Sequence, residues 1–486
     1  MTVSGDEIAQ LLGREWALKL PDRDAPTNLA RRLALSMRHL IVTGLLPNGT
    51  RLPPERVLAA SIGVSRPTIT AALDDLRRLG LIAAKQGSGT WVEHAENPPS
   101  PFPAMADMVF TDHGINLAAA TAQDAAHLGP INLTLSDLLA TSPAHGYDPR
   151  GLPELRQRVA EHISRDGVAA NPDDIIITNG AHHALSLILG ALVKPNDLIA
   201  AEEYTYGGLL DLAHTHRARV DIISRDSGGT VVGSLRQLLR RSKPKLVFLM
   251  PRVHGPTGTT TDPNRHTELT AELMAAGSVV IEDDTLADLI LTDNHGRLPA
   301  APGAVRIGSL SKSVWGGLRL GWIHSPAPMR DQLLRHRART DLGTPIASQI
   351  VGLQVIDGLA TLLNRRTAEL RARAEHLQQL VTAALPDWQA TTPHGGLSLW
   401  VRLPLRDAST FTTMAARSGV LVMPGTVARP DRNADPHIRI CFDRNPNIVE
   451  EGVERLAETW TRLLQTVRSG EVKFEHGGHA ENGKSS

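Results

Sequence analysis

Cysteine is almost missing from these 486 residues: Cys441 stands alone, which excludes an internal disulfide and a metal site built from cysteines. Aromatic side chains make up only 3% of the chain, and Tyr147, Tyr204 and Tyr206 are its three tyrosines. No apolar run is long enough to span a bilayer, and the opening MTVSGDEIAQ lacks the basic and apolar regions of a secretion signal. The expectation is a cytoplasmic protein with no membrane segment and no metal. Net charge is lacking as well, with 51 basic residues against 51 acidic ones.

That balance is uneven along the chain. Between Thr27 and His94 stand nine Arg/Lys and four Asp/Glu, a net +5, which leaves 42 basic and 47 acidic residues, −5, for the remainder. A basic module on a mildly acidic body points to one part that meets a polyanion. The length suits two or three domains, and 41% hydrophobic with 21% charged residues is a globular composition.

Leu33, Met37, Leu40 and Ile41 recur at helical spacing in the segment Ala30–Val42. GLLPNGTRLPPE breaks that helix, and a second should start near Pro54–Glu55, where proline suits a first turn. ASIGVSRPTITAALDDLRRLGLI then reads as a short helix, a turn at Gly63 and a third helix capped by Ser65. AAKQGSGTWV reads as a hairpin with Gly87-Ser88-Gly89 at its tip. This is the plan of a winged helix, whose helix after the turn enters a major groove. Arg56, Ser65, Arg66 and Thr68 put guanidinium and hydroxyl donors at helix starts, within reach of phosphates and base edges. In GxLPxGxRLPPERxLA, GVSRxTI and QGSGTxV this stretch resembles the DNA-binding domain of GntR-type bacterial regulators. The resemblance adds Gln86 and Gly87 to the DNA-contacting positions.

ENPPSPFPAMADMVF reads as a stiff proline-rich connector over 95–113. The expected divisions are an N-terminal extension (1–26), a winged helix (27–94), the connector, a large domain (114–468) and a disordered tail (469–486). In the large domain, short apolar runs at Ile175–Thr178, Leu198–Ala201, Leu246–Met250 and Val279–Ile281 alternate with helical stretches. That alternation predicts an α/β domain with a mostly parallel sheet, with ligands at the carboxyl ends of its strands.

The strand ends carry chemistry. NGAHHAL is a glycine turn opening a helix, and Gly180, Ala181 and His182 could offer amides to a phosphate. Glu282, Asp283 and Asp284 follow one run, and SLSKSVWGGLRLGW, from Ser309 to Trp322, follows another. Together these describe a pyridoxal phosphate site. Lys312 would form a Schiff base with the aldehyde, and Asp283 would hold the pyridine nitrogen's proton. Ser309, Ser311 and Arg319 would grip the phosphate, and Tyr206 would cover the ring.

From GYDPRGLPELR through TNGAHHAL, EEYTYGG, PRVHGPTG, EDD and SLSK to HIRICF, the chain resembles fold-type I aminotransferases. By that resemblance Tyr147 reaches the phosphate of a partner subunit, which implies a homodimer, and Arg439 grips an α-carboxylate. Gly255 stands where an asparagine usually serves the ring hydroxyl, and Thr285 stands where these regulators carry a tyrosine, so Thr285 is the candidate replacement. A GntR-type winged helix on such a domain is the plan of the MocR subfamily. The resemblance implies a regulator of an operator in double-stranded DNA that answers to an amino acid, an amine or the cofactor itself. An aminotransferase with an accessory DNA-binding domain is the alternative; negligible turnover is expected because both usual ligands of the ring hydroxyl are missing.

Overall fold

The structure is a computed structural model that describes residues 4, 6–9, 29–42, 46, 49–78, 81–85, 89–92, 114–122, 128–141, 145–167, 169–292 and 298–468. The chain divides into two compact units, Met1–Pro103 and Ala104–Ser486. The expected connector and tail fall outside the described residues. Among those described, no single helix is long and apolar enough to cross a membrane.

In the first unit, α1 (Leu29–Val42), β1 (Arg51–Leu52), α2 (Glu55–Ile62), α3 (Arg66–Arg78), β2 (Ile82–Lys85) and β3 (Gly89–Val92) follow in order. The strands form an antiparallel sheet in the order β1-β3-β2. Leu33, Met37, Leu40 and Ile41 of α1 are buried with Leu58, Ile69, Leu73 and Leu76 of the other helices, as their spacing demands. Residues 6–9, inside the expected N-terminal extension, join this core. Ile8 is fully buried there, and Ser61 Oγ donates to Asp6 at 2.9 Å. The local signal is a capping box: Glu7 accepts from Ser4 N at 2.8 Å while its own N–H donates to Ser4 Oγ at 3.2 Å.

The second unit is built on a seven-stranded sheet. In chain order the strands are β4 (Ile175–Thr178), β5 (Leu198–Glu202), β6 (Arg219–Ile223), β7 (Leu246–Leu249), β8 (Val279–Asp283), β9 (Val305–Ser309) and β10 (Gly321–His324). Their spatial order is β4-β10-β9-β8-β7-β5-β6, and β10 alone runs antiparallel to its neighbours. Side chains alternate across it: Ile199, Phe248 and Ile281 enter one core, Ala200, Val247 and Val280 the other. Both faces are covered, which is why these strands read as apolar runs. Helix α4 (Ala181–Leu192) follows β4, and α5 (Gly207–Thr215) follows β5.

Two strands run further than their apolar patterns. β8 continues through Glu282 and Asp283, and β9 through Gly308 and Ser309. Polar residues at the strand ends keep their ladder partners because backbone pairing ignores side-chain polarity. A four-stranded antiparallel sheet completes the unit, from β11 (Gln389–Thr391), β12 (Ser398–Arg402), β13 (Met423–Pro424) and β14 (His437–Cys441) in the order β11-β12-β14-β13. Just before the large sheet in sequence, Ile115–Asn116 pairs in parallel with Val420–Leu421.

Candidate cofactor and nucleic-acid sites

The carboxyl end of β8 settles which of three adjacent carboxylates is available. Strand alternation sends Glu282 and Asp284 to one side and Asp283 to the other. Glu282 accepts from Arg252 at 3.0 Å and from the Ala301 N–H at 2.9 Å. Asp284 is bound by Arg252 and, at 2.7 Å, by Arg306 Nε. Asp283 is left with the Thr285 backbone N–H at 2.9 Å and the Thr285 hydroxyl. Burial pushes its pKa up to about 6, opposed by the Thr285 bonds and the Lys312 charge. Thr285 therefore serves the Asp283 carboxylate in this structure.

Lys312 follows the end of β9. Its Nζ donates to the Ala120 carbonyl at 2.6 Å. Burial, then the positive field of Arg439, brings its pKa down to about 8, while Cys441 and Asp283 act in the opposite direction. Arg439, on β14, donates from Nη2 to the Ala118 carbonyl at 2.6 Å. Its Nε is buried with no partner among the described residues.

Around the start of α4, Gly180 has φ +86°, and a Cβ there would lie 3.3 Å from the Arg319 guanidinium. The glycine lets the helix N-terminus approach Arg319, whose Nη2 donates to the Asn179 carbonyl at 2.6 Å. Ala181 and His182 supply the next N–H groups of that turn, and the N–H groups of a helix start suit an anion. Ser309 is buried, and its hydroxyl is shared with the Leu320 carbonyl and Ser311 Oγ, both at 2.9 Å. It props the loop, and the partly exposed Ser311 is the better placed of the two to meet a ligand.

Tyr206 precedes α5 and accepts or donates at His182 Nδ1, 3.2 Å away, with the rings edge-on. A Cβ on Gly208 would meet its ring at 2.5 Å, so that glycine makes room for it. Burial raises its phenol pKa, and Asp283 adds to the rise. Tyr204, two residues earlier, goes elsewhere, donating to Asp435 at 2.7 Å. Tyr147 is 59% exposed and far from burial in its own chain.

Sequence reasoning missed the segment that crosses this site. The carbonyls of Ala118 to Thr121 are taken by Arg439, Lys312 and Arg444, the last reaching Ala119 and, at 2.9 Å, Thr121. A backbone acceptor leaves no trace in a sequence, since every residue carries one. The paired clamp of Arg252 and Arg306 was missed too, because both arginines lie far in sequence from the carboxylates they bind.

In the winged helix, Arg56, Ser65 and Arg66 are exposed and Thr68 is half-buried. Ser65 caps α3: its Oγ lies 2.7 Å from Thr68 Oγ1 and accepts from Thr68 N at 3.3 Å. Arg66 rests 3.7 Å from Glu55 with its side chain 71% exposed. Gln86 and Gly87 lie outside the described residues.

A winged helix-turn-helix unit and a fold-type I aminotransferase unit thus share one chain. The family comparisons agree: residues 112–456 match the model of aminotransferase class I and II, and residues 29–92 that of the bacterial regulatory proteins of the gntR family. The chain belongs to the class I and II aminotransferase family and, with its GntR domain, has the MocR-type architecture. It is similar to the HTH-type transcriptional regulator YisV of Bacillus subtilis, 27% identical over 92% of this chain and 99% of the relative. It is also similar to the regulator TauR of Rhodobacter capsulatus, 27% identical over 88% and 96% of the two chains. Among solved structures, the alpha-aminoadipate aminotransferase of Thermus thermophilus shares the fold at a TM-score of 0.65 and 23% identity, over 75% of this chain and 98% of that one.

Pyridoxal phosphate is the cofactor of this family. The residues present fit it. An amine held by a carbonyl, an unpartnered buried guanidinium nitrogen and a buried carboxyl form a polar set that a ligand with an aldehyde, an anion and a basic ring nitrogen would complete.

Proposed function

We propose that the protein is a DNA-binding transcription regulator whose large domain holds pyridoxal phosphate at Lys312 and senses an amino acid, an amine or the cofactor itself. The observation that carries this reading is the Lys312–Asp283–Arg439 set in a chain that also presents the exposed Arg66 at the start of α3. The solved relative from Thermus thermophilus carries N-(5'-phosphopyridoxyl)-L-leucine, which supports a carboxylate-bearing amine as the ligand class.

When bound, the cofactor supplies an aldehyde and an electron-withdrawing ring. Lys312 offers an amine whose lowered pKa leaves it partly neutral near physiological pH. Asp283, oriented by Thr285, would accept from the ring N–H. The amides of Gly180, Ala181 and His182, with Ser311 and Arg319, would bind the phosphate, and Tyr206 would lie against the ring. Arg439 would give its free Nε to the effector carboxylate. In a homodimer the exposed Tyr147 would reach the partner's phosphate, and paired winged helices would read two operator half-sites.

With Gly255 lacking a side chain and the Thr285 hydroxyl bonded to Asp283, neither position would offer the ring hydroxyl a free donor, so slow chemistry suits a sensor better than an enzyme. The test uses Lys312→Ala and wild type. Wild type should turn yellow with pyridoxal phosphate and shift operator DNA in response to an amino acid or amine. The variant should keep DNA binding and lose both colour and response. Multiple turnovers with an amino acid and a keto acid at roughly 1 per second or faster would make the protein an aminotransferase first.

A further inference from the structure

The segment Leu117–Thr121 is pinned from both sides. Its N–H groups at Ala118 and Ala119 donate to Asn116 Oδ1 at 3.0 and 3.1 Å. Leu117 exchanges backbone bonds with Leu421 and Cys441, each at 2.8 Å. Its carbonyls from Ala118 to Thr121 all accept from cationic side chains, and two of those cations, Lys312 and Arg439, are groups that the ligands need. Backward along the chain, Asn116 and Ile115 lead directly into the connector that ends in the winged helix.

We propose that this strap is a latch that competes with the cofactor for Lys312, so that loading the site releases the Ala120 carbonyl and loosens the segment joined to the connector. The inference rests on the proposed function for the identity of the competing ligand. The chemistry supplies the competition. When the amine condenses with an aldehyde, a carbon–nitrogen double bond forms, and the carbonyl oxygen leaves as water with two of the nitrogen's hydrogens. The nitrogen keeps at most one N–H, against the three of the ammonium, so the ammonium's bond to Ala120 ends and at most a single hydrogen is left for every acceptor around it. Arg439 behaves differently. Its unpartnered Nε can take a carboxylate oxygen while Nη2 stays on Ala118. The cofactor thus unlatches one carbonyl of the strap, and the effector leaves the neighbouring contact in place. Occupancy of the site is thereby converted into freedom of a segment covalently continuous with the DNA-binding unit, through differential contacts in the two states.

The test is hydrogen–deuterium exchange of the full-length protein, read on peptides covering residues 114–122, with and without pyridoxal phosphate. Loading should speed exchange there roughly ten- to a hundredfold, the usual worth of a charge-assisted hydrogen bond. If the visible absorbance of loading develops and exchange in 114–122 does not change, the latch is wrong and the proposed function stands. If no absorbance develops, the proposed cofactor role fails, and Lys312→Ala without cofactor decides the latch alone. Faster exchange than wild type then supports it, and unchanged exchange overturns it. Lys312→Arg retains N–H donors but forms no carbon–nitrogen double bond. It should protect the strap as wild type does and ignore pyridoxal phosphate; a wild-type response in this variant overturns the latch.

Discussion

Only a neutral amine attacks an aldehyde, so the pH at which Lys312 loses its proton governs how fast the apo-protein takes up pyridoxal phosphate. An ordinary lysine has a pKa of 10.5, and Lys312 is brought down to about 8, first by burial and then by Arg439. At pH 7.4 such a group is about 20% neutral, against about 0.08% for a free lysine, an advantage of about 250-fold. The loading rate should therefore rise with pH and level off above about 8. Arg439→Gln should move that midpoint upward, because it removes the larger of the two opposing cations, Arg444 being the smaller. The assay is the rate of visible absorbance gain after mixing with cofactor, measured from pH 6 to 10 in steps, with a small amine as reference for the titration of the cofactor itself. A midpoint near that of the reference amine, or one that Arg439→Gln leaves in place, would refute the electrostatic account of Lys312.

Arg66→Ala should weaken specific operator binding roughly 5- to 150-fold and leave the cofactor spectrum intact, since a bidentate base contact supplies roughly 1–3 kcal/mol of discrimination; unchanged affinity and salt slope in a gel-shift series would remove Arg66 from the interface. Asp283→Asn should make the apo-protein more stable near pH 7 while weakening cofactor binding. Asp283 is raised from 3.8 to about 6 in the folded state. Its burial therefore costs nothing below pH 3.8, and the cost grows as pH rises through the folded pKa, reaching about 3 kcal/mol above it. Thermal melts should show the two proteins converging at acid pH, and a variant less stable than wild type at pH 7 would contradict the sign. Sedimentation should show a homodimer; a monomer with full cofactor occupancy would deny Tyr147 its role across the interface.

Much of this protein was determined by sequence alone. The helical spacing of Leu33, Met37 and Leu40, the Ser65 cap and the apolar runs of β4, β5, β7, β8 and β9 are local patterns, and local patterns fix secondary structure directly. The candidate residues Lys312, Asp283 and Arg319 stand at or just beyond strand ends, positions that the order of motifs already marked before any coordinates. What only the tertiary structure decided was the state of each group. Sequence pointed to Asp283 within EDD, but only the fold shows why it differs from its neighbours: Arg252 and Arg306, distant in sequence, bind Glu282 and Asp284. The bonds of Thr285 to Asp283 are set by the turn after β8. Ile8, far upstream of the first long helix in sequence, joins the winged-helix core. The hold of Lys312 on Ala120 joins residues 192 apart in sequence, through a carbonyl that any residue would supply, and burial at that contact is what lowers the amine's pKa. Side-chain identity is written in the chain; the field around a side chain comes from neighbours that only folding assembles.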